Sequence, residues 1–235
     1  LALSRRHTVA KLLPYHDHNG HSMRPKILAA MANGLNVALV SDAGTPLVSD
    51  PGYKLVAAAH EQGFQVSAIP GPSAVLAGLV CAGLPSDRFL FAGFIPNGSN
   101  AARRAFEEFA TLSVTSIWFD SPRRLATSLS LMAEVFGPRL AVVARELTKL
   151  HEDLQRATLD ELAGLYAYQD PPRGEVVILV KGADQTTALF DDKMLKDMLA
   201  EQLENNSLRD AVKTVMELSG QPRRKIYQLA IKLDV

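Results

Sequence analysis

A short apolar run without polar alternation occurs at residues 37–40, and strand-like apolar stretches at 115–119, 140–144 and 174–180. Runs of that kind are expected of strands covered on both faces. Residues 65–69 and 88–94 add two more strand-like stretches, the second with alternation. Between them the apolar period lengthens to helical spacing. Residues 22–33 predict a helix with Ser22 as N-cap, Pro25 in the first turn, and Ile27, Leu28 and Met31 on one face; Gly34 ends it. Further helices are predicted at 53–62, closed by Gly63, and at 101–110 and 158–168. Alternating strands and helices through Ala82 predict an α/β unit with a largely parallel sheet, and a second such unit follows it. From Asp191 onward only helical periods remain, and Ser207 with Asp210 forms an S-x-x-D capping signal.

Two loops leave the predicted strands of the first unit. Residues 37–52 read V-A-L-V-S-D-A-G-T-P-L-V-S-D-P-G, in which Gly44 opens conformations closed to other residues while Pro46 and Pro51 fix φ. Residues 69–74, I-P-G-P-S-A, repeat the theme. One such loop alone is most simply a tight strand-to-helix connection; two leaving one sheet point to a ligand site at the strands' carboxyl ends.

Composition narrows the class. With 235 residues, 47% of them hydrophobic, the chain can build one large or two ordinary cored domains. No apolar run approaches the roughly 18 residues of a spanning helix, and the first six residues lack the order of a signal peptide. The single cysteine, Cys81, is read as core and fits a reducing compartment, so a cytoplasmic location is expected. Twenty-five basic and 25 acidic residues give zero formal charge, so any contact with nucleic acid must come from local clustering.

Candidate chemistry gathers at few places. Arg145-Glu146-Leu147-Thr148-Lys149 follows a strand directly, which is poor core chemistry; the plain reading is an exposed salt-bridged turn. Asp120-Ser121-Pro122-Arg123-Arg124 is another strand exit. Residues 15–21, Y-H-D-H-N-G-H, place His16, His18 and His21 in an H-x-H-x-x-H array similar to the zinc motif of metallo-β-lactamase-like hydrolases. Gly20 stands where that family has an aspartate, and no further ligand set is evident, so no metal is expected. The plain reading is a solvated loop capping the next helix. Arg103-Arg104 is read as a solvated helix face, with phosphate contact as the alternative. From Gly220, four basic residues, Arg223, Arg224, Lys225 and Lys232, stand against Asp234 alone. That excess on a helix-turn-helix pattern suits phosphate contacts. Neither a G-x-G-x-x-G nor a P-loop motif occurs, which argues against the common dinucleotide and nucleotide sites.

In this order and spacing, S-D-A-G-T-P-L-V-S-D-P-G, P-G-P-S-A and G-L-P-S-D-R-F-x-F-x-G-F-x-P (residues 83–96) resemble the tetrapyrrole methylase superfamily. Y-H-D-H-N, A-R-E-L-T-K and the helical tail resemble its branch that methylates the 2′-oxygen of a cytidine in small-subunit (16S) ribosomal RNA. The resemblance implies two α/β domains of the tetrapyrrole methylase fold, residues 1–85 and 86–183, with the cofactor cleft between them, followed by a linker and helical element, 184–235. It implies S-adenosyl-L-methionine held by Asp42, Ala43, Gly44, Thr45 and Val48, by Ser73 and Ala74, and by Phe119, Leu147 and Glu175. Glu146 and Lys149 are the implied catalytic pair, with Asp42 and Asp120 as alternative bases. Arg124, Arg145, Arg223, Arg224 and Lys225 are assigned to ribosomal RNA, free or in the assembled small subunit. A homodimer without membrane contact is implied as well. Members open with a strand and a glycine-containing loop, which residues 1–13 do not supply, so one wall of the cofactor site is expected to be absent or to belong to a longer chain. A tetrapyrrole or other small-molecule methyltransferase of the same fold, and a zinc hydrolase using His16, His18 and His21, are the alternatives.

Overall fold

The structure, a computed structural model, describes residues 11–184 and 190–233, and the chain divides into two compact units, Leu1–Ala74 and Val75–Val235. Most of the opening stretch 1–13, and residues 185–189, 234 and 235 of the expected linker and helical element, fall outside the described residues.

The first unit is built on α1 (Gly20–Ala32) and α2 (Tyr53–Glu61). Ile27 and Leu28 of α1 are buried against Leu55 and Ala59 of α2, with Tyr15, Met31 and Phe64 around them. The first helix begins two residues before the expected Ser22, because Asn19 organises the turn. Its side-chain oxygen accepts from the His16 amide at 2.9 Å and its side-chain nitrogen donates to the Pro14 carbonyl at 2.9 Å.

Neither strand expected in this unit forms. Residues 35–40 and 64–70 carry no ladder, and Leu35, Val37 and Val40 are largely exposed rather than buried. An apolar run becomes a strand only when its amides and carbonyls find a partner strand. No such partner lies among the described residues of this unit, so its parallel sheet is absent there.

The second unit opens with α3 (Ala74–Ala82) and continues through β1 (Phe89–Phe94), α4 (Ser99–Phe109), β2 (Thr115–Asp120), a 3-10 turn (Pro122–Arg124) and α5 (Leu125–Phe136). It then runs through β3 (Leu140–Arg145), β4 (Asp153–Thr158), α6 (Leu159–Ala167) and β5 (Val176–Val180). The strands form one sheet in the order β1-β2-β5-β3-β4, in which only β1 and β2 are parallel. The last strand is thus the central one, and Val-Val-Ile-Leu-Val is buried along its whole length, as expected of a strand covered on both faces. Alternation sorts the faces. Trp118, Val143 and Ile178 pack with Phe106, Leu129, Met132 and Phe136 under α4, α5 and α6. Ile117, Val142 and Leu179 pack with Val75, Leu79 and Ala82 of α3.

The fourth strand went unpredicted because D-L-Q-R-A-T is a half-exposed edge with little apolar alternation. After it, Thr158 caps α6 in a reciprocal capping box with Glu161.

One close approach ties the strand ends together. Behind β5, the Ala183 amide donates to the Leu112 carbonyl at 2.8 Å. Gly182 lies so near the preceding loop that a Cβ there would be 2.3 Å from the Ser113 carbonyl carbon.

Beyond residue 190, α7 (Asp192–Leu203), α8 (Leu208–Ser219) and α9 (Arg223–Ile231) enclose a core of their own around Leu195, Leu199, Val212, Val215 and Ile226. Ser207 accepts from the Asp210 amide at 3.2 Å, and Gly220 ends α8 in the left-handed conformation. Among the described residues no helix is long and apolar enough to cross a membrane.

Candidate active site

At one end of the sheet β1, β2 and β3 finish while β4 and β5 begin. Asp120, Val176, Arg145 and Asp153 lie there in register across four strands. The A-R-E-L-T-K segment leaves β3 at this point, and its backbone is strained: Glu146 has φ 49° and Thr148 φ 66°. Non-glycine residues rarely hold such angles, and where they persist the surrounding structure must enforce them. Among the described residues the others with positive φ are Leu47 (73°) and Ser49 (55°), in the D-A-G-T-P-L-V-S-D loop. All four strained positions therefore lie in two segments singled out from the sequence, residues 37–52 and 145–149.

The strain aims a charged cluster. The Lys149 ammonium donates to Oε1 of Glu146 at 2.9 Å and to Oε2 of Glu175 at 3.0 Å. The Glu175 amide donates to the same Glu146 oxygen at 2.9 Å. Gly174, with φ 101°, leaves the room for this: a Cβ there would be 2.3 Å from the Glu146 carboxylate. Because Lys149 and then the Glu175 amide donate to it, the Glu146 carboxyl is held below its ordinary range. The Lys149 ammonium, bonded first to Glu146 and then to Glu175, is raised above the usual lysine value. Leu147 turns the other way, onto the apolar layer under α3.

Phe119 sits one residue before Asp120, edge-on to Phe91 and Phe94 at 4.8 and 5.3 Å. Asp120 is buried; one carboxylate oxygen takes the Arg124 guanidinium at 2.6 Å and the other, Oδ2, has no partner among the described residues. Arg124 also donates to the Ile95 and Pro96 carbonyls and to the Asn97 side chain. Its guanidinium thus fastens the loop after β1 to the end of β2. Arg145 donates to the Arg173 carbonyl at 3.3 Å and stands 4.0 Å from Asp153.

In the first unit the two expected loops do meet: the Thr45 hydroxyl donates to the Pro72 carbonyl at 2.9 Å. Asp42, Ala43, Gly44, Thr45 and Val48 are exposed along the first of them. Among the described residues nothing lies within 4 Å of where a Gly44 Cβ would stand.

The basic tail is partly engaged, with Arg224 3.7 Å from Glu107 of α4 and Lys225 3.0 Å from Asp192 of α7. Arg103 pairs with Glu134 of α5 and its side chain is largely buried, which departs from the solvated face expected of it, whereas Arg104 is exposed. His16 and His18 lie 6.0 Å apart between ring centroids in the loop before α1. No group of three or more metal-ligating side chains occurs among the described residues. Sequence reasoning missed Gly174 as a site residue; its only signal was the G-E pair before an apolar run.

The sequence model of the tetrapyrrole (corrin/porphyrin) methylases matches residues 8–163, and that of the RsmI C-terminal HTH domain matches residues 190–234. A ribosomal RNA small subunit methyltransferase I from Mesorhizobium japonicum is 43% identical over 234 residues, covering 97% of this chain and 76% of that protein. One from Xylella fastidiosa is 42% identical over 220 residues, covering 92% and 80%. Among solved structures, the methyltransferase CobJ superposes with a TM-score of 0.50 at 22% identity, covering 68% of this chain and 70% of that one. This last likeness concerns the fold.

Proposed function

Since the chain belongs to the ribosomal RNA small subunit methyltransferase I family of tetrapyrrole methylases, we propose that it methylates the ribose 2′-hydroxyl of a cytidine in 16S ribosomal RNA, with S-adenosyl-L-methionine as donor. The observation that carries the reading is the strained turn at Glu146 and Thr148, which gathers Glu146, Lys149 and Glu175 at the end of β3. In the same reading the enzyme is a cytoplasmic homodimer acting on free RNA or on the assembled small subunit.

The residues present suit such a donor. Two carboxylates against one ammonium leave the cluster net negative, which favours a sulfonium cation, and the orphaned Oδ2 of Asp120 is an acceptor in want of a hydroxyl or amino donor. Asp42, Ala43, Gly44, Thr45, Val48, Ser73 and Ala74 on the first unit are assigned to it, as are Phe119, Leu147 and Glu175 on the second. When bound, the donor supplies a methyl group on positively charged sulfur, intrinsically ready for displacement.

The protein's work is then alignment. Both contacts to Glu146 fall on Oε1, and Oε2 is the oxygen offered to the ribose hydroxyl. The contacts that hold Glu146 ionised also make it a weak base, so its role is to accept the hydroxyl's hydrogen bond and orient the attacking oxygen. Lys149, held protonated, steadies the flanking phosphate or the developing alkoxide. Arg145, Arg124 and the tail residues Arg223, Arg224 and Lys225 are assigned to the RNA backbone.

A depressed carboxylate acts above its lowered pKa and a raised ammonium below its elevated one. The catalytic rate attributable to this pair should therefore stay level through neutrality, falling on acidification below the ordinary carboxylate range and on alkalinisation past the lysine range. A pH profile of single-turnover transfer checks this; a bell centred on neutrality would hand the role to another group. The function itself is tested by methyl transfer from labelled donor to small subunits prepared from cells lacking the protein. Label on a cytidine ribose is expected, and label confined to a small-molecule acceptor would overturn the reading.

A further inference from the structure

The opposite end of the same sheet, where β4 and β5 finish and β3 starts, holds a second concavity of about 470 Å³. Arg139, Arg156 and Lys181 line it, and among the described residues Asp184 is the one acidic side chain in its wall, an excess of two positive charges. In a chain with zero formal charge such an excess is a local arrangement. Neutral partners occupy the guanidinium groups: Arg139 donates to the Ala110 carbonyl, and Arg156 to those of Ala82 and Gly83 at 3.2 and 3.3 Å. These contacts use part of five donors per guanidinium and leave its charge uncompensated. Arg139 lies 5.4 Å over the Phe136 ring, and burial pulls it down to about 10, with Asp184 opposing. Lys181 meets Asp184 at 2.5 Å, with both side chains partly open to solvent. Gly220, at the turn between α8 and α9, borders the same space, so the C-terminal helical element and the sheet share its rim.

We propose that this pocket binds a phosphate group of the RNA backbone, a docking point that lies roughly 20 Å, one six-residue strand, from Glu146. Planar guanidinium forks suit a tetrahedral anion, and an ammonium beside them adds a point charge. The proposal rests on the RNA reading above. It makes the substrate an extended stretch of RNA that touches both ends of the sheet, with the helical tail beside the distal contact.

The test compares the wild-type full chain with the double variant Arg156→Gln/Lys181→Gln and with Lys181→Gln alone. Arg139 is left intact, since its removal also strips packing from Phe136. Methyl transfer to small subunits should show KM for the subunit raised about tenfold in the double variant and less in the single one. The turnover number and the KM for the methyl donor should hold, and the salt slope of log kcat/KM should shrink by about one. An unchanged subunit KM and slope in both variants, with the wild type active, overturns the pocket alone. Inorganic phosphate that raises the Tm of the wild type and not of the double variant, with the subunit KM unmoved, assigns the pocket to a free anion and overturns the RNA assignment. A wild type that labels no RNA brings down the RNA reading first, and this proposal with it.

Discussion

Replacing Gly174 by alanine is expected to lower the rate of methyl transfer by about a hundredfold or more, the low end of what a positioned acid-base group contributes, while leaving the fold in place. The glycine sits at φ 101°, and the methyl group would occupy space within 2.3 Å of Cγ, Cδ and Oε1 of Glu146. The side chain can swing away, so the protein survives. What it loses is the meeting of the Glu146 carboxylate with the Lys149 ammonium and the Glu175 amide. A backbone penalty of about 1 kcal/mol for alanine at positive φ adds to this, so a small drop in Tm should accompany a large drop in rate. Glu146→Ala should reproduce the rate loss without the backbone penalty. Gly174→Ala protein that keeps methylating within a few-fold of wild type would show that Glu146 has no part in aligning the substrate.

The largest loss of stability is expected at Gly182→Ala, about 3 kcal/mol, as for overpacking against atoms that cannot move. Here a Cβ meets backbone: the Ser113 carbonyl carbon at 2.3 Å and the Val114 nitrogen at 2.4 Å. Relief requires the chain after β5 to part from the loop before β2, which breaks the 2.8 Å bond from the Ala183 amide to the Leu112 carbonyl. For a chain of this length the change corresponds to roughly 6–12 °C in Tm, measurable by thermal or urea unfolding. A variant as stable as the wild type would mean that the two segments separate at no cost. The two glycines thus divide by what they face: one a movable carboxylate, the other a fixed peptide.

The second unit was legible because most of its strands are apolar runs long enough to state their burial, and because the helix cap at Ser207 is chemically explicit. The A-R-E-L-T-K turn stood out since charged residues at a strand exit have no place in a core, and the backbone strain at Glu146 and Thr148 falls on the same residues. Where local pattern failed, pairing decided. Val37 to Val40 looks like a buried strand, yet without a ladder partner among the described residues it is exposed coil. The edge strand Asp153–Thr158 looks like nothing in particular, yet it pairs along its full length with β3. Gly174 was invisible for a related reason: its importance lies in the carboxylate of a residue 28 positions earlier. The basic pocket likewise joins Arg139, Arg156 and Lys181 from three separate elements, none of which forms a charge run.

The order β1-β2-β5-β3-β4 also governs how the protein is made. The strand in the middle is the last to be synthesised, so while the chain emerges the parallel pair β1-β2 and the hairpin β3-β4 wait as separate ribbons with open inner edges. Only when Val176–Val180 arrives can it bond to both. Such late, long-range closure predicts slow, cooperative folding and a nascent state whose bare edges invite self-association until that moment. Chains arrested before Val176 should therefore aggregate rather than accumulate as a folded fragment.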